Sequence, residues 1–123
     1  MILIEYPKCS TCKKAKKYLE DKYVTFTDRN IVTDTPTKEE LKEWVEKFSF
    51  PLDKLYNTSG IKYRELNLKE KRKTMNTEEQ LELLSSDGML IKRPILLTEH
   101  TMLTGFKELE WNKVIEEEIK WKN

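Results

Sequence analysis

The chain contains 123 residues, which is enough for one domain to bury a core without disulfides or metal. It carries 23 Lys and Arg against 22 Asp and Glu, and the formal net charge of +1 gives no overall field that would draw the protein onto nucleic acid or a membrane surface. Charged residues make up 37% of the chain, so we expect a folded domain with a highly charged surface rather than a disordered chain.

The sequence predicts neither a transmembrane segment nor a signal peptide. None of its segments approaches the roughly 20 apolar residues that cross a bilayer. The first residues, "MILIEYPK", lack the long apolar region of a signal peptide. We therefore expect a cytoplasmic protein, in which a lasting structural disulfide would be unusual. Its two cysteines, Cys9 and Cys12, are then reactive, metal-binding or simply buried.

The first thirty residues predict a strand, a helix and a second strand. "MILIEY" is short, apolar and bounded by Pro7, which is typical of a buried strand. Apolar side chains then recur at helical spacing at Cys12, Ala15, Tyr18 and Leu19. "YVTFTDRNI" is rich in β-branched and aromatic residues and predicts the second strand. We expect a parallel βαβ unit, with Cys9 where the strand meets the helix.

The middle of the chain is predicted to be helical. Thr37 with Glu40 forms a capping-box pattern, and the apolar positions that follow are Leu41, Trp44, Val45 and Phe48. Shorter helical stretches are predicted across 52–56 and 63–68, with a turn at "NTSG" between them. Thr77 with Gln80 predicts another capped helix, closed by Asp87-Gly88. We expect Trp44 and Trp111 to be core residues.

The last third predicts two strands and a helix. "RPILLT" and "TMLTGF" are joined by Glu99-His100, which favours a β-hairpin over 94–106. A terminal helix places Trp111, Val114, Ile115 and Ile119 on one face. The order βαβ, helical block, ββα is that of an α/β thioredoxin-like fold with a helical insertion. We expect a single domain with its core at about 1–35 and 88–123, and its insertion at about 36–87.

The pair Cys9 and Cys12 is the main chemical signal. A thiol at a helix N-terminus meets free backbone N–H groups and the positive end of the helix dipole, which favour the thiolate. Lys8 and Lys13 would add positive charge and lower the pKa of Cys9 further. Cys12, one turn along, could attack a mixed disulfide on Cys9. A CxxC that follows a strand and opens a helix is typical of redox proteins.

Two other interpretations of the cysteines stay open. The cysteines could be two buried small residues, or half of a zinc site, although His100 and carboxylates are the only further ligands.

Arg93-Pro94 is the second candidate position of the site. It begins the strand after the helical block and would face the CxxC in a thioredoxin-like layout. Arg93 could then hold an oxyanion or stabilise a thiolate.

Several motifs together carry a resemblance to a known family. "YPKCSTCKKAKKYLE", "NTSGIKYRELNL", "SSDGMLIKRPILL" and "TGFKE" resemble the arsenate reductase ArsC/Spx family, in particular its small two-cysteine branch that commonly carries an arsenate-reductase name. The resemblance implies that Cys9 is the catalytic cysteine, that Pro94 is a cis-proline opposite it, and that Arg93 contacts an anion. Lys8, Ser10 and Thr11 would then line the substrate groove beside Pro94.

The same resemblance ranks the functions. Arsenate reductases of the family hold the oxyanion with three arginines, but Asn57 and Gly105 occupy two of those positions here, which argues against arsenate. Spx regulators keep the CxxC, the Arg-Pro motif and a glycine like Gly105, although a glycine of their polymerase contact is replaced near Phe50-Pro51. We therefore place a thiol–disulfide oxidoreductase or redox-responsive role first, an Spx-like transcription regulator second, and an arsenate reductase third.

Each role implies its own partners. The redox role needs no metal or organic cofactor but does need a thioredoxin or a glutathione/glutaredoxin system to reduce the cysteine pair. The Spx-like role implies contact with the C-terminal domain of the RNA polymerase α subunit. We expect neither direct nucleic-acid binding nor membrane association.

Overall fold

A computed structural model describes the backbone of residues 1–122 and the side chains of residues 1–120. The strands are β1 (Ile2–Glu5), β2 (Thr27–Asn30), β3 (Ile95–Leu97) and β4 (Met102–Thr104). The α-helices are α1 (Ser10–Asp21), α2 (Lys38–Phe48), α3 (Ile61–Glu65), α4 (Leu68–Lys71), α5 (Thr77–Ser86) and α6 (Glu108–Lys122). Single turns of 3₁₀ helix occupy Leu52–Leu55, Arg72–Thr74 and Gly88–Leu90.

The strands form one sheet, in which their spatial order differs from their order along the chain. Among the described residues it has the order β2-β1-β3-β4, so the first strand is central although it opens the chain. β3 pairs antiparallel with β1, with Leu3 opposite Leu96, and also with β4, with Leu96 opposite Leu103. This sheet order, with the helices in their observed sequence positions, is the predicted α/β thioredoxin-like fold.

The chain divides into two compact units, one formed by Met1–Arg29 with the segment from Arg93 onward and the other by Asn30–Lys92. The core of the first unit joins the sheet to α1 and α6, and its buried residues are Leu3, Ala15, Tyr18, Leu19, Leu96, Trp111, Val114 and Ile115. Because Leu3 and Leu96 are register partners, α1 and α6 cover the same face of the sheet. Trp111 is fully buried there and meets Phe106 edge-on, with ring centroids 4.9 Å apart.

The second unit is held by buried aromatic and amide groups as well as aliphatic ones. The guanidinium of Arg72 lies 3.9 Å from the ring centroid of Tyr56, and Arg72 Nε donates to Gln80 Oε1 at 3.1 Å. The Tyr56 hydroxyl donates to the same Gln80 oxygen at 3.1 Å, and Arg72 also pairs with Asp53. These contacts tie the two 3₁₀ turns at Leu52–Leu55 and Arg72–Thr74 to α5.

Most predicted elements are present, and their errors have local causes. The second strand begins only at Thr27, because Tyr23 takes a left-handed conformation (φ 56°) and lies 95% exposed in the turn after α1. The capping box predicted at Thr37 is present, but that of α5 is formed by Asn76 with Glu79, one residue before the predicted pair. Asparagine caps a helix as well as threonine does, so adjacent capping patterns compete.

Two predicted core positions differ from expectation. Trp44 is only half-buried in α2, where Leu41 is the buried residue. In α6, Ile119 is 53% exposed, whereas Glu118 is 6% exposed. Seven residues are close to two helical turns, so position 118 lies directly in line with Trp111, and Ile119 is turned toward the edge of that face. The predicted hairpin is confirmed by the pairing of β3 with β4.

Gly88 gives a test of the second unit. A Cβ at this position would lie 2.1 Å from the carbonyl oxygen of Ile31, a backbone atom that cannot move aside alone. We expect Gly88→Ala to lower the free energy of unfolding in urea by roughly 2 kcal/mol or more. Gly60→Ala is the control, because its nearest neighbour is the flexible Asn57 side chain. Equal losses in the two variants would contradict this account.

Candidate functional site

Cys9 is the residue that ends the β1–α1 connection and caps α1. Its backbone is extended (φ −84°, ψ 125°), while its carbonyl already accepts the first helical hydrogen bond from Lys13 N–H at 3.0 Å. Its own N–H donates to the carbonyl of Tyr6 at 2.9 Å, which closes the short loop. The half-buried sulfur lies at the first turn of α1, whose N–H groups have no partner within the helix.

These surroundings lower the pKa of Cys9. Partial burial alone would raise the pKa of its thiol, but the stabilising contacts outweigh that effect. The backbone N–H and the thiol of Cys12 lower the pKa most, followed by the positive charge of Arg93 and the N–H of Thr11. Each of these groups favours the charged form of the thiol, so the pKa of Cys9 lies below that of an ordinary cysteine.

Cys12 has the opposite character although it lies one helical turn away. Its side chain is fully buried, and burial raises the pKa of its thiol to about 12. The hydrogen bond that its sulfur accepts from Tyr6 N–H, at 3.5 Å, opposes this rise, whereas the neighbouring Cys9 and Glu5 add to it. The pair therefore consists of one half-buried thiol with a lowered pKa and one fully buried thiol with a raised pKa, and no disulfide joins the two cysteines.

Arg93 and Pro94 lie at the same end of the sheet as the cysteines. Ile4 pairs with Ile95 in the antiparallel register, so the end of β1, which leads into Cys9, and the start of β3 share one edge. The Arg93–Pro94 peptide bond is cis, as the family resemblance implied. The Arg93 guanidinium lies 5.5 Å from the ring centroid of Tyr6, and its charge reaches the Cys9 sulfur.

Gly105 anchors Pro94 at this end of the sheet. Its N–H donates to the carbonyl of Pro94 at 2.8 Å, and its carbonyl accepts from Trp111 Nε1 at 3.1 Å. Its φ of 75° lies in the left-handed region, which a glycine adopts at little cost. A side chain in place of Gly105 would strain the contact that anchors Pro94.

The remaining predicted residues near Cys9 differ from Cys12 in being open to solvent. Lys8, Ser10 and Thr11 are exposed around Cys9. Of the charged residues, Arg93 has a clear effect on the Cys9 pKa, whereas the expected contribution of Lys8 and Lys13 stays a prediction. Lys8 and Lys13 are exposed, whereas strand pairing brings Arg93, which is distant in sequence, to the same end of the sheet as Cys9.

Asn57 belongs to the second unit, where its amide nitrogen donates to the Met89 carbonyl at 3.5 Å. His100 is exposed in the β3–β4 turn. Within the described part of the chain, no group of three or more His, Cys, Asp and Glu side chains is placed to hold a metal ion.

Two residues of the site were missed by the sequence interpretation. Tyr6 contributes backbone hydrogen bonds to both cysteines and carries the ring beneath Arg93. Glu5 is a carboxyl group only 3% exposed at the end of β1. The alternation of Leu3 and Glu5 along the strand could have placed Glu5 on the face covered by α1, but its charge argued for the surface.

The fold and the site define a thioredoxin-like protein with a CxxC at the start of its first helix. The ArsC family model matches residues 4–114, which is most of the chain. The chain belongs to the ArsC family. None of the helices in the described residues is long and apolar enough to cross a membrane.

Relatives of the chain include two regulators and a protein that is described as uncharacterized. The uncharacterized protein YusI of Bacillus subtilis is 55% identical over 103 residues, covering 84% of this chain and 87% of YusI. The regulatory protein MgsR of B. subtilis is 33% identical, covering 89% of this chain and 85% of MgsR. The global transcriptional regulator Spx 1 of Bacillus cereus is 26% identical, covering 96% of this chain and 88% of Spx 1.

Solved structures agree with the fold. An ArsC family related protein from Bacteroides fragilis is 49% identical, with a TM-score of 0.86 over 92% of this chain and 95% of that one. A Streptococcus mutans protein named as a possible arsenate reductase is 38% identical, with a TM-score of 0.81 over 90% of this chain and 96% of that one.

Thiol alkylation tests the contrast between the cysteines. Iodoacetamide should label Cys9 in the native protein with a pH midpoint below that of an ordinary thiol, while Cys12 stays unlabelled at neutral pH because it is buried and protonated. Peptide mass spectrometry across a pH series measures both sites. Arg93→Gln should move the Cys9 midpoint to higher pH, because it removes a charge that favours the thiolate.

Lys13→Gln is the matched control for this experiment. It removes a positive charge that is near Cys9 in sequence but exposed to solvent, so we expect a smaller shift of the midpoint than in Arg93→Gln. The interpretation fails if Lys13→Gln shifts the midpoint as far as Arg93→Gln does.

Proposed function

We propose that the protein is a cytoplasmic thiol–disulfide oxidoreductase that uses Cys9 as the nucleophile and Cys12 as the resolving thiol. The observation that carries this proposal is the opposed chemistry of the two sulfurs. The pKa of Cys9 is lowered at a half-exposed position, and the pKa of Cys12 is raised to about 12 at a buried one. Attack from outside is therefore directed to Cys9, and Cys12 is kept for the second step.

The reaction proceeds through a mixed disulfide. The Cys9 thiolate attacks a disulfide of the substrate, forms a bond to one sulfur and expels the other as a thiolate. Cys12 loses its proton and attacks Cys9 Sγ, which forms the Cys9–Cys12 disulfide and releases the second substrate thiol. Two electrons pass from the cysteine pair to the substrate, and a thioredoxin or a glutathione/glutaredoxin system returns them.

Arg93 and Pro94 are proposed to shape the place where the substrate binds. The positive charge of Arg93 would stabilise the thiolates that form beside Cys9, as it does for the resting Cys9 sulfur. Pro94 would form one wall of a groove, with Lys8, Ser10 and Thr11 around the nucleophile. The exposure of these three residues supports access of a protein or peptide disulfide from solvent.

A redox-responsive transcription regulator is the second candidate. It is supported by the 33% identity to the regulatory protein MgsR and by the relationship to Spx 1. In this role the Cys9–Cys12 disulfide would switch binding to the C-terminal domain of the RNA polymerase α subunit. A pull-down with that domain under oxidising and reducing conditions distinguishes the roles, because an enzyme alone would show no redox-dependent retention.

An arsenate reductase is the third candidate, supported by the likeness to the Streptococcus mutans protein. The family resemblance implies that Arg93 matches one of the three arginines of the family's arsenate reductases, and that Asn57 and Gly105 stand at the positions of the other two. We therefore expect no efficient arsenate turnover with thioredoxin or glutaredoxin as the reductant, measured as arsenite release. Efficient turnover would exclude our interpretation of Asn57 and Gly105.

Trapping of the mixed disulfide tests the primary proposal. Cys12→Ser should accept one substrate thiol on Cys9 and retain it, because the resolving thiol is gone, whereas the wild type should release it and form an internal disulfide. Mass spectrometry of the intact protein after reaction with glutathione disulfide measures the adduct. Cys9→Ser is the control and should form little adduct, since Cys12 is fully buried. A wild type that never forms the internal disulfide would refute the mechanism.

A further inference from the structure

Exposed lysines flank Cys9 on both sides in the chain. Lys8 precedes it, and the N–H of Lys13 donates to the Cys9 carbonyl at 3.0 Å, which places the Lys13 backbone one helical turn from Cys9. Lys14 is the next residue, and all three lysines are exposed. We call Lys8, Lys13 and Lys14 the lysine rim. Because Cys9 is half-buried among these residues, a substrate that reaches its sulfur comes close to their charges.

The lysine rim is not neutralised by acidic side chains of its own chain. Among residues 1–120, whose side chains the structure describes, its three lysines form no ion pair. The next two lysines of α1 do form ion pairs, Lys16 with Asp28 at 2.8 Å and Lys17 with Asp21 at 3.3 Å. The lysine rim therefore presents positive charge to solvent, although the whole chain carries a net charge of only +1.

The dipole of α1 makes this placement of charge unfavourable for the helix itself. Positive side chains near the N-terminus repel the positive end of the dipole, and Glu20 and Asp21 lie at its negative end. The first turn of α1 contains no acidic residue, whereas α2, α5 and α6 each have two acidic residues there. Helix stability therefore does not account for the lysines, and their closeness to Cys9 points to a role at the thiol.

Two roles at the thiol predict different behaviour. If the lysines only lowered the pKa of Cys9, they would speed its reaction with every substrate alike. If they attract the substrate, they favour acidic substrates over basic ones, because opposite charges steer partners together. Arg93 acts on the Cys9 sulfur, whereas the exposed lysine rim is open to direct contact with a bound partner.

We propose that the substrate of Cys9 is a protein or peptide disulfide with acidic residues beside its cysteine, and that the lysine rim selects it. This inference rests on the proposed redox function and names its class of substrate. Carboxylates on the two sides of the substrate cysteine pair with Lys8 on one side of Cys9 and with Lys13 and Lys14 on the other. Lysine is a flexible point charge that imposes no fixed geometry, so we expect selection of acidic sequences as a class.

Two peptide disulfides of opposite charge test this selection on the full chain. One peptide has two glutamates on each side of its cysteine, the other has two lysines there, and each cysteine is joined to 2-thiopyridine. Cys9 bonds to the peptide sulfur and expels thiopyridone, whose absorbance gives the rate. Each rate is divided by that of the same peptide with 2-mercaptoethanol. At about 0.1 M salt, wild type should prefer the acidic peptide by about tenfold or more.

Charge reversal in the lysine rim tests which residues select. Lys13→Glu should lower the preference for the acidic peptide by about fivefold or more, and adding Lys8→Glu should lower it further. Lys22→Glu is the matched control, because it makes the same change in net charge at an exposed position. Position 22 lies at the other end of α1, about 18 Å along the helix and beyond the screening length of about 10 Å, so the preference should be unchanged.

The preference separates recognition from a change in the thiol. A shift of the Cys9 pKa changes both rates by the same factor, so an unaltered preference in Lys13→Glu overturns the proposal. A wild type without preference, or an equal loss in Lys22→Glu, overturns it too. Raising the salt to about 1 M should abolish the wild-type preference, because the screening length falls to about 3 Å.

The second step of the same reaction tests the redox function separately. In wild type, Cys12 should release each peptide as a free thiol and leave the Cys9–Cys12 disulfide, which mass spectrometry of the intact protein detects. Release of both peptides without any preference between them leaves the redox function standing and removes only the lysine selection. If the peptides stay bound to Cys9, the proposed redox function fails, and the inference about its substrate fails with it.

Discussion

The packing of α1 against the end of β1 is the constraint on which the site depends. Leu3 of β1 and Ala15 and Leu19 of α1 are fully buried in one cluster, and this contact fixes where the helix begins. Because a helix leaves its first N–H groups without intrahelical partners, the first turn of α1 offers donors at that point. Cys9 occupies the cap position, so its sulfur receives those donors, and the sheet supplies the charge of Arg93 from the adjacent strand end.

The same helical turn produces two different thiols. Cys9 precedes the helix and remains half-exposed, whereas Cys12 faces the sheet and is fully buried. Hydrogen bonding and charge act on the first sulfur, and loss of hydration dominates the second. Membership in a family that contains both transcriptional regulators and proteins with arsenate-reductase names fits this arrangement, because a poised thiol at a strand edge can serve either catalysis or sensing.

Local patterns predicted elements well where one pattern had no competitor. The capping box at Thr37 and the hairpin of β3 with β4 were predicted correctly, since each depends on residues close together in sequence. The box before α5 was placed one residue late because Asn76 and Thr77 each begin an acceptable pattern. The start of β2 was placed too early because the β-forming residues after Tyr23 are also compatible with the turn that follows α1.

The sequence by itself determined that two thiols lie one helical turn apart at a strand-to-helix junction, because both strand and helix periods are local properties of the chain. Only the tertiary structure decided which charge reaches Cys9 and which group shares the burial of Cys12. Arg93 is 84 positions beyond Cys9 and arrives through the antiparallel pairing of β1 with β3. The charge of Glu5 predicts a surface residue, yet Glu5 is buried at the end of β1. Burial depends on what packs against a residue and not only on the type of residue, so the sequence alone did not reveal it.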